Sequence, residues 1–487
     1  MLDRLDHTLR TGGSRPALLD ATRGGRPRVL ARCDELASAA DGLAAALHHR
    51  YGLRAGDTLG VAVRPGPRAL TVLLAAHRLG LRTAVLDPAA GPDVLRARLA
   101  LAPPALVLAD AAAQAVAGWA RPLARHADLA LPPLRTLGPV ATLGPRRPGC
   151  APALATTGAP PPAPYDGDGD AVIVFTSGTT TAPRAVVHTR GGLAAGMRGV
   201  AALVDPRPGS AVLGGTFFVL APALAAGATV ALPARSSRTL QRQIDALRPD
   251  ETYLTPPQLR SLDRFTGRVW TGSAPASAAL LARVRRSGAR QAWGVYALTE
   301  LFPAAAVEAA DKAAFTEDGD LLGHPLPGVT TRLGDRGELL LAGPAARDRY
   351  LGEPSDPWIR TGDRARIDPG GRIVLAGRLK DMVLRRAENI YPGLYEPALH
   401  LPDVELAVLV GVPDPARDGD ERLVALVQAR PGADPRRLRA ALQQPLARMG
   451  SARPDALLLA DVPLAGRSRK PDRAAAARYC ARHLDAR

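Results

Sequence analysis

From about Leu18 to Leu131 the chain alternates helical stretches, such as ELASAADGLAAALHHRYG, with short apolar runs, TLGVAV, TAVLD and ALVLAD. Parallel strands need a long crossover between them, so this alternation predicts βα units around a parallel sheet. A second βα series runs from Ala171 to about Glu308, and a more β-like part, GELLLAG through GRIVLAG, comes next. Between the two series, the stretch at about 131–170 is rich in Pro, Gly and Ala and reads as a linker or surface loop. After Gly377 the pattern changes to strands LAVLVGV and ERLVALVQA with the helical stretch PRRLRAALQQPLARM. At 487 residues the chain is too long for one core. The expected architecture is a large α/β N-terminal domain at 1–377 (two βα subdomains plus a β-rich part), a hinge at 378–380 and a small, mobile α+β C-terminal domain at 381–487.

The formal charge of +17 invites a nucleic-acid reading, but the way it is built argues against one. Only three lysines, Lys312, Lys380 and Lys470, stand among the 63 basic residues. The arginines are scattered without a basic run, and aromatics, at 4%, offer few faces for stacking bases. No nucleic-acid partner is expected. Cys33, Cys150 and Cys480 lie far apart, which supports neither a disulfide framework nor a zinc site. The opening MLDRLDHTLR has no signal-peptide core, and a cytoplasmic location is expected. Pro208 to Ala234 carries no charge, yet Pro222 and several glycines break it. It reads as a buried strand, a short helix and a second strand, so no membrane span is expected.

The most informative segment is AVIVFTSGTTTAPRAVV at 171–187. The β-branched run VIVF reads as a buried strand and ends in Thr176-Ser177-Gly178-Thr179-Thr180-Thr181, followed by Pro183 and Arg184. A turn leaving a strand with backbone N–H groups, hydroxyls and a cation is chemically suited to a polyphosphate.

That order resembles the phosphate loop of the adenylate-forming superfamily, which includes acyl-CoA synthetases, luciferases and peptide-synthetase adenylation domains. Thr181 and Ala185 stand where glycines are usual there, and Arg184 where lysine is usual. Further motifs follow in the family's order. Thr271-Gly272-Ser273-Ala274-Pro275 resembles the turn lining the adenine pocket, and VYALTE at 295–300 resembles the YGxTE element, with Ala297 in place of glycine. The resemblance implies that Ser273, Ala274 and Pro275 flank adenine and Tyr296 stacks on it. It also implies that Thr299 meets the α-phosphate region and Glu300 holds magnesium. Trp358-Ile359-Arg360-Thr361-Gly362-Asp363 resembles the WxxTGD element, whose aspartate accepts from ribose hydroxyls. In GRLKD at 377–381, Arg378 corresponds to a nucleotide contact and Lys380 to the hinge. PLAGRSRKPDRAA at 463–475 resembles the C-terminal element whose lysine enters the active site during adenylation, which makes Lys470 the catalytic lysine. Two of the chain's three lysines thus fall on family positions.

The implied chemistry is activation of a carboxylic acid. ATP and Mg2+ convert it to acyl-AMP with loss of pyrophosphate, with Thr176, Ser177, Gly178, Thr179, Thr180 and Arg184 on the phosphates. Transfer to a thiol follows, as in an acyl-CoA synthetase. The acceptor loop LRRAENIYPGLYE at 384–396 keeps familiar ENIYP but has Ala387 at a glycine position, and its two arginines suit the phosphates of CoA. Other acceptors stay open: a stand-alone carrier protein, a nitrogen nucleophile, or the substrate's own hydroxyl as in the related β-lactone synthetases. With the chain ending soon after Lys470, a carrier protein is expected to be separate. A degenerate, non-catalytic binder of nucleotide or acyl ligand is a further reading, suggested by Thr181, Ala185, Ala297 and Ala387 at the family's glycine positions. The acyl pocket, expected from 213–232 and 270–298, is small and apolar in GGTFFVLAPALAAG, which favours an uncharged or lipidic acid.

Overall fold

The computed structural model describes all residues except 87–95, 98–99, 121–132, 156, 176–183, 387, 416, 418–419, 466–468 and 485–487. The chain folds as two units. The first comprises Met1–Tyr253, Leu298–Pro303 and Ala342–Ile359, and the second Leu254–Ala297, Ala304–Leu341 and Arg360–Arg487.

In the first unit the apolar runs become a seven-stranded sheet. Its order is Arg349–Tyr350, Ala185–Thr189, Asp170–Phe175, Arg82–Val85, Thr58–Ala62, Leu106–Ala109 and Val140–Thr142. The last five run parallel, and the first three are antiparallel to one another in turn. The helices Cys33–His49 and Pro67–Leu79 serve two cores at once. Leu36, Ala40, Leu70 and Leu74 enter one cluster, while Leu43, Leu47, Val72 and Ala76 pack toward Leu59, Leu106 and Leu108. Two-faced burial explains why Leu and Ala dominate both helices, and in Cys33–His49 the exposed positions, Asp34, Glu35, Ser38 and Gly42 among them, are confined to one stripe. The charge-free stretch folds as expected, into Ala211–Leu213, the helix Phe217–Ala225 and Thr229–Ala231.

The segment at 131–170 is more structured than its composition suggests. Leu134–Leu137 forms a 3₁₀ turn, and Val140–Thr142 is the parallel edge strand of the seven-stranded sheet, beside Leu106–Ala109. Its backbone groups find their partners in that neighbour, so a three-residue strand needs little help from its own side chains.

The second unit holds an antiparallel series in which Ile359–Ile367, Ile373–Arg378, Asp320–Pro325, Ala305–Glu308 and Gln291–Tyr296 pair in that order. Arg268–Thr271 adds in parallel beside Gln291–Tyr296. The α+β part at its C-terminal end is built on the strands Val404–Pro413, Glu421–Ala429 and Ala456–Leu459. Strand alternation sorts its two faces. Ala407, Leu409, Leu423 and Val427 meet Leu438 and Leu442 of the helix Pro435–Ala447, whereas Val408, Val410, Val424 and Leu426 meet Ala476 and Cys480 of Arg473–Leu484. Among the described residues no helix is long and apolar enough to cross a membrane.

Candidate active site

The sequence-selected residues fall into two groups, one in each unit. In the first unit the phosphate-loop residues Thr176, Ser177, Gly178, Thr179, Thr180 and Thr181 lie outside the described residues. The strands on either side pair with each other, Phe175 opposite Ala185, which sets the two ends of the loop side by side. Ala185 is buried within its strand and is not among the residues with positive φ, so alanine at that glycine position carries no backbone strain. Ala297, exposed just beyond its strand, is likewise not among the residues with positive φ.

Glu300 is held by partners that its own motif did not reveal. The Leu298 N–H donates to the Leu301 carbonyl at 2.9 Å, closing a tight turn around Thr299-Glu300. The Glu300 carbonyl accepts from the Arg347 N–H at 2.6 Å, and its Oε1 accepts from the Tyr350 hydroxyl at 3.0 Å. The Thr299 carbonyl accepts from Nε2 of His188 at 2.8 Å, which assigns the ring proton to that nitrogen. His188 is buried, lies edge-on to Phe302, and is kept neutral mainly by burial, which lowers its pKa. Its Nδ1 has no partner among the described residues. Tyr350 stands opposite Val186, two residues beyond Arg184, and two guanidiniums approach its ring. The Cζ atoms of Arg184 and Arg347 are 4.8 and 4.5 Å from the ring centroid.

Among the described residues no group of three or more His, Cys, Asp or Glu side chains could enclose a metal. A magnesium ion needs no such cage, because one carboxylate together with substrate phosphates and water is its usual setting. Glu300, a hard oxygen donor on a clamped turn, fits that role.

In the second unit three distant motifs converge. Asp363 and Arg378 are cross-strand partners in register, and Arg378 Nε lies 2.9 Å from Asp363 Oδ1. The Tyr296 hydroxyl donates to Asp363 Oδ2 at 2.6 Å. The turn of the TGD element is fixed from beneath. Thr361 Oγ1 accepts from the Asp363 N–H at 3.0 Å and donates to the Leu339 carbonyl at 2.7 Å. Gly362 sits at φ 69, where a side chain would be strained, and its N–H donates to Glu338 Oε1 at 3.0 Å. Asp363 is only 3% exposed, and burial raises its pKa against the opposing pull of Arg378. Burial first, then Asp363, pushes the Tyr296 phenol well above its ordinary value.

Lys470 joins this group on the short hairpin in which it faces Ala465. Although much of the residue is exposed, surrounding protein desolvates its ammonium and lowers its pKa. Arg378 and Lys380 add to that shift, and Asp363 opposes it. Arg473, three residues later, anchors the strand's exit. It grips both Glu396 oxygens at 2.7 Å and reaches Asp381 at 3.1 Å, tying the Lys470 hairpin to the segment just after Lys380. Lys380 lies in the 3₁₀ turn Leu379–Asp381. The third lysine, Lys312, is a buried ion-pair partner of Asp320 at 2.7 Å. Ser273 is exposed at φ 67, half-buried Ala274 and exposed Pro275 follow it, and this left-handed turn was not evident from the sequence.

At the acceptor loop the structure corrects one expectation. Arg385 is buried and bonds to Asp455 and to the Ser451 carbonyl, so of the two arginines only Arg386, at φ 52, is exposed. Ala387 lies outside the described residues.

The family model for the AMP-binding enzyme matches residues 6–351. A feruloyl-CoA synthase from Amycolatopsis is 30% identical over 296 residues, covering 53% of this chain and 59% of that protein. A fatty acid–[acyl-carrier-protein] ligase from Streptomyces coeruleorubidus is 30% identical over 319 residues, 56% of this chain and 61% of that protein. These matches span only about three fifths of either relative's length. Among solved structures, the amide bond synthetase McbA from Marinactinospora thermotolerans superposes with a TM-score of 0.78 at 24% identity, over 99% of this chain and 100% of that one. That likeness establishes the fold, a large α/β N-terminal domain with a small α+β C-terminal domain. With a family match that covers well over half of its length, this chain belongs to the AMP-binding, adenylate-forming enzyme family.

Proposed function

We propose that this chain is an AMP-forming acid:thiol ligase of the acyl-CoA synthetase type. The observation that carries the reading is the convergence of Asp363, Arg378, Lys380 and Lys470, drawn from three motifs, in the second unit. A carboxylate is a poor electrophile, and its attack on the α-phosphorus of ATP gathers negative charge as pyrophosphate leaves. Cations and oriented donors placed in advance stabilise that charge. Lys470 is assigned to it, with Thr299 at the α-phosphate. In the second unit Asp363 receives the ribose hydroxyls, Arg378 meets the nucleotide, and Ser273, Ala274, Pro275 and Tyr296 take adenine. In the first unit the loop at 176–180 and Arg184 hold the phosphates, and Glu300 holds magnesium, which when bound offsets polyphosphate charge.

Lys380 is assigned as the hinge on which the small domain turns between the two half-reactions. An apolar acid suits the aromatic pair Phe218–Phe302, whose ring centroids are 4.0 Å apart, with Phe218 partly exposed. The engagement of Arg385 with Asp455 favours a second reading for the acceptor. With Arg385 buried on Asp455 and Arg386 itself 3.7 Å from the same carboxylate, the loop is less suited to the phosphates of CoA, and a carrier-protein thiol, a nitrogen nucleophile or the substrate's own hydroxyl takes its place. Retention of Glu300, Asp363 and Lys470 in a chain otherwise almost without lysine speaks against a non-catalytic binder. Pyrophosphate release over a panel of acids, with and without CoA, tests the proposal. Acid-dependent release with CoA-dependent turnover supports the ligase. Acid-dependent release indifferent to CoA supports the second reading, and no release with any acid contradicts both.

A further inference from the structure

The first unit contains a residue that none of the sequence motifs singled out, and it touches both charged groups assigned to the polyphosphate. Tyr350 lies on the edge strand Arg349–Tyr350, paired with the strand that starts one residue after Arg184. It is 8% exposed. Its hydroxyl donates to Glu300 Oε1 at 3.0 Å, and its ring takes the Arg184 guanidinium on a face at 4.8 Å. The backbone reinforces this placement. The Arg347 N–H holds the Glu300 carbonyl, and Leu301 forms a bridge with Ala346, so the segment that carries Tyr350 and the turn that carries Glu300 are tied at successive points. The second guanidinium, from Arg347, is fixed by the carbonyls of Asp356 at 2.9 Å and Trp358 at 3.5 Å, and it backs the ring at 4.5 Å. The phenol thus lies among Glu300, Arg184 and Arg347, and its proton goes to the one acceptor of the three, the Glu300 carboxylate.

A carboxylate that binds a cation through one oxygen gains from a donor on its other oxygen, which fixes its orientation and limits the rotamers it must give up. An arginine facing phosphate is likewise directed by the aromatic face beneath it. We propose that Tyr350 is the positioning residue of the phosphate and metal side of this site: its hydroxyl aims the Glu300 carboxylate at magnesium, and its ring directs Arg184 toward phosphate. The inference rests on the assignment of Glu300 to magnesium, and the test separates the two.

Mn2+ binding is followed by the electron paramagnetic resonance of the free ion in the presence of α,β-methylene-ATP, beside the affinity of the analogue without metal. Tyr350→Phe keeps the ring and removes the hydroxyl, so Mn2+ affinity falls about tenfold or more while metal-free affinity for the analogue holds. Tyr350→Leu removes both devices, so both affinities fall. Glu300→Gln loses the Mn2+ site. Wild-type Mn2+ affinity in Tyr350→Phe with loss in Glu300→Gln overturns the proposal alone. Wild-type affinity in Glu300→Gln overturns the assignment on which it rests, and the proposal with it. Fluorotyrosine at position 350 in the otherwise unaltered chain gives a reading that does not depend on the Phe variant folding. Its ¹⁹F resonance shifts when Mg2+ and the analogue are added together, and an unmoved resonance contradicts the proposal.

Discussion

The Glu300 turn and the Asp363 cluster solve one problem, holding a carboxylate still, in opposite ways. The Glu300 carboxylate accepts from an uncharged donor, the Tyr350 hydroxyl, while a backbone N–H and a neutral histidine hold the main-chain carbonyls of its turn. Asp363 is buried against a cation and a phenol, with a lysine near by. A carboxylate can be oriented by dipolar donors alone. One oriented by burial and charge has its proton affinity altered by its neighbours. The difference teaches that the proton affinity of Asp363 is set by its burial and its neighbours, and the contrast can be broken or sharpened by experiment.

The largest expected effect is at Lys470. Replacing it with alanine removes a cation from the developing negative charge and lowers acid-dependent pyrophosphate release by ~10²–10³ or more. The thermal midpoint holds, because the hairpin is anchored by Arg473 rather than by the lysine. Arg469→Ala is the control, and a Lys470→Ala rate above about a tenth of wild type contradicts the assignment. Next comes Asp363→Asn, which keeps the shape and removes the charge facing Arg378. It raises the KM for ATP by about 10- to 100-fold, the usual worth of charge-assisted hydrogen bonds. An unchanged KM excludes Asp363 from nucleotide binding.

The pH profile is the subtler test. Burial raises the pKa of Asp363, so on acidification its acceptor form is lost at a higher pH than for an ordinary aspartate. The same shift opposes the fold, since the proton's contribution to stability is present at low pH and is lost as pH rises through the raised value. Lys470 is shifted down, so its ammonium is lost at a lower pH than an ordinary lysine's. The rate therefore narrows from both sides. Lys470→Arg, whose charge persists, moves the alkaline limb upward even if the maximal rate falls. Tyr350→Phe leaves both limbs where they are, and displacement of either one by that change would erase the contrast between the two units.

Periodicity made the elements legible. Alternating residues in LAVLVGV and ERLVALVQA sort to two faces of one sheet, and the apolar runs of the first half became parallel strands. Val140–Thr142 escaped because a short edge strand is specified by its neighbour's backbone rather than by its own pattern. Within the site, the motifs gave Asp363 and Arg378 separately, but not the strand register that makes them face each other. Scarcity singled out Lys380 and Lys470, and the ion pair with Asp320 accounts for Lys312. His188, Arg347 and Tyr350 gave no signal. Each acts on a residue at least 47 positions away, and a partner chosen by tertiary proximity leaves no local spacing to read.

The central claim is that a carboxylate of the substrate attacks the α-phosphorus of ATP. An acid that supports pyrophosphate release, labelled with ¹⁸O in both carboxylate oxygens, tests this most directly, with the recovered nucleotide weighed by mass spectrometry. Adenylation leaves one labelled oxygen on AMP whether a thiol, an amine, a hydroxyl or water receives the acyl group, because every acceptor attacks the acyl carbon. AMP carrying one ¹⁸O is the result expected. Unlabelled AMP, or ADP as the product, contradicts the account.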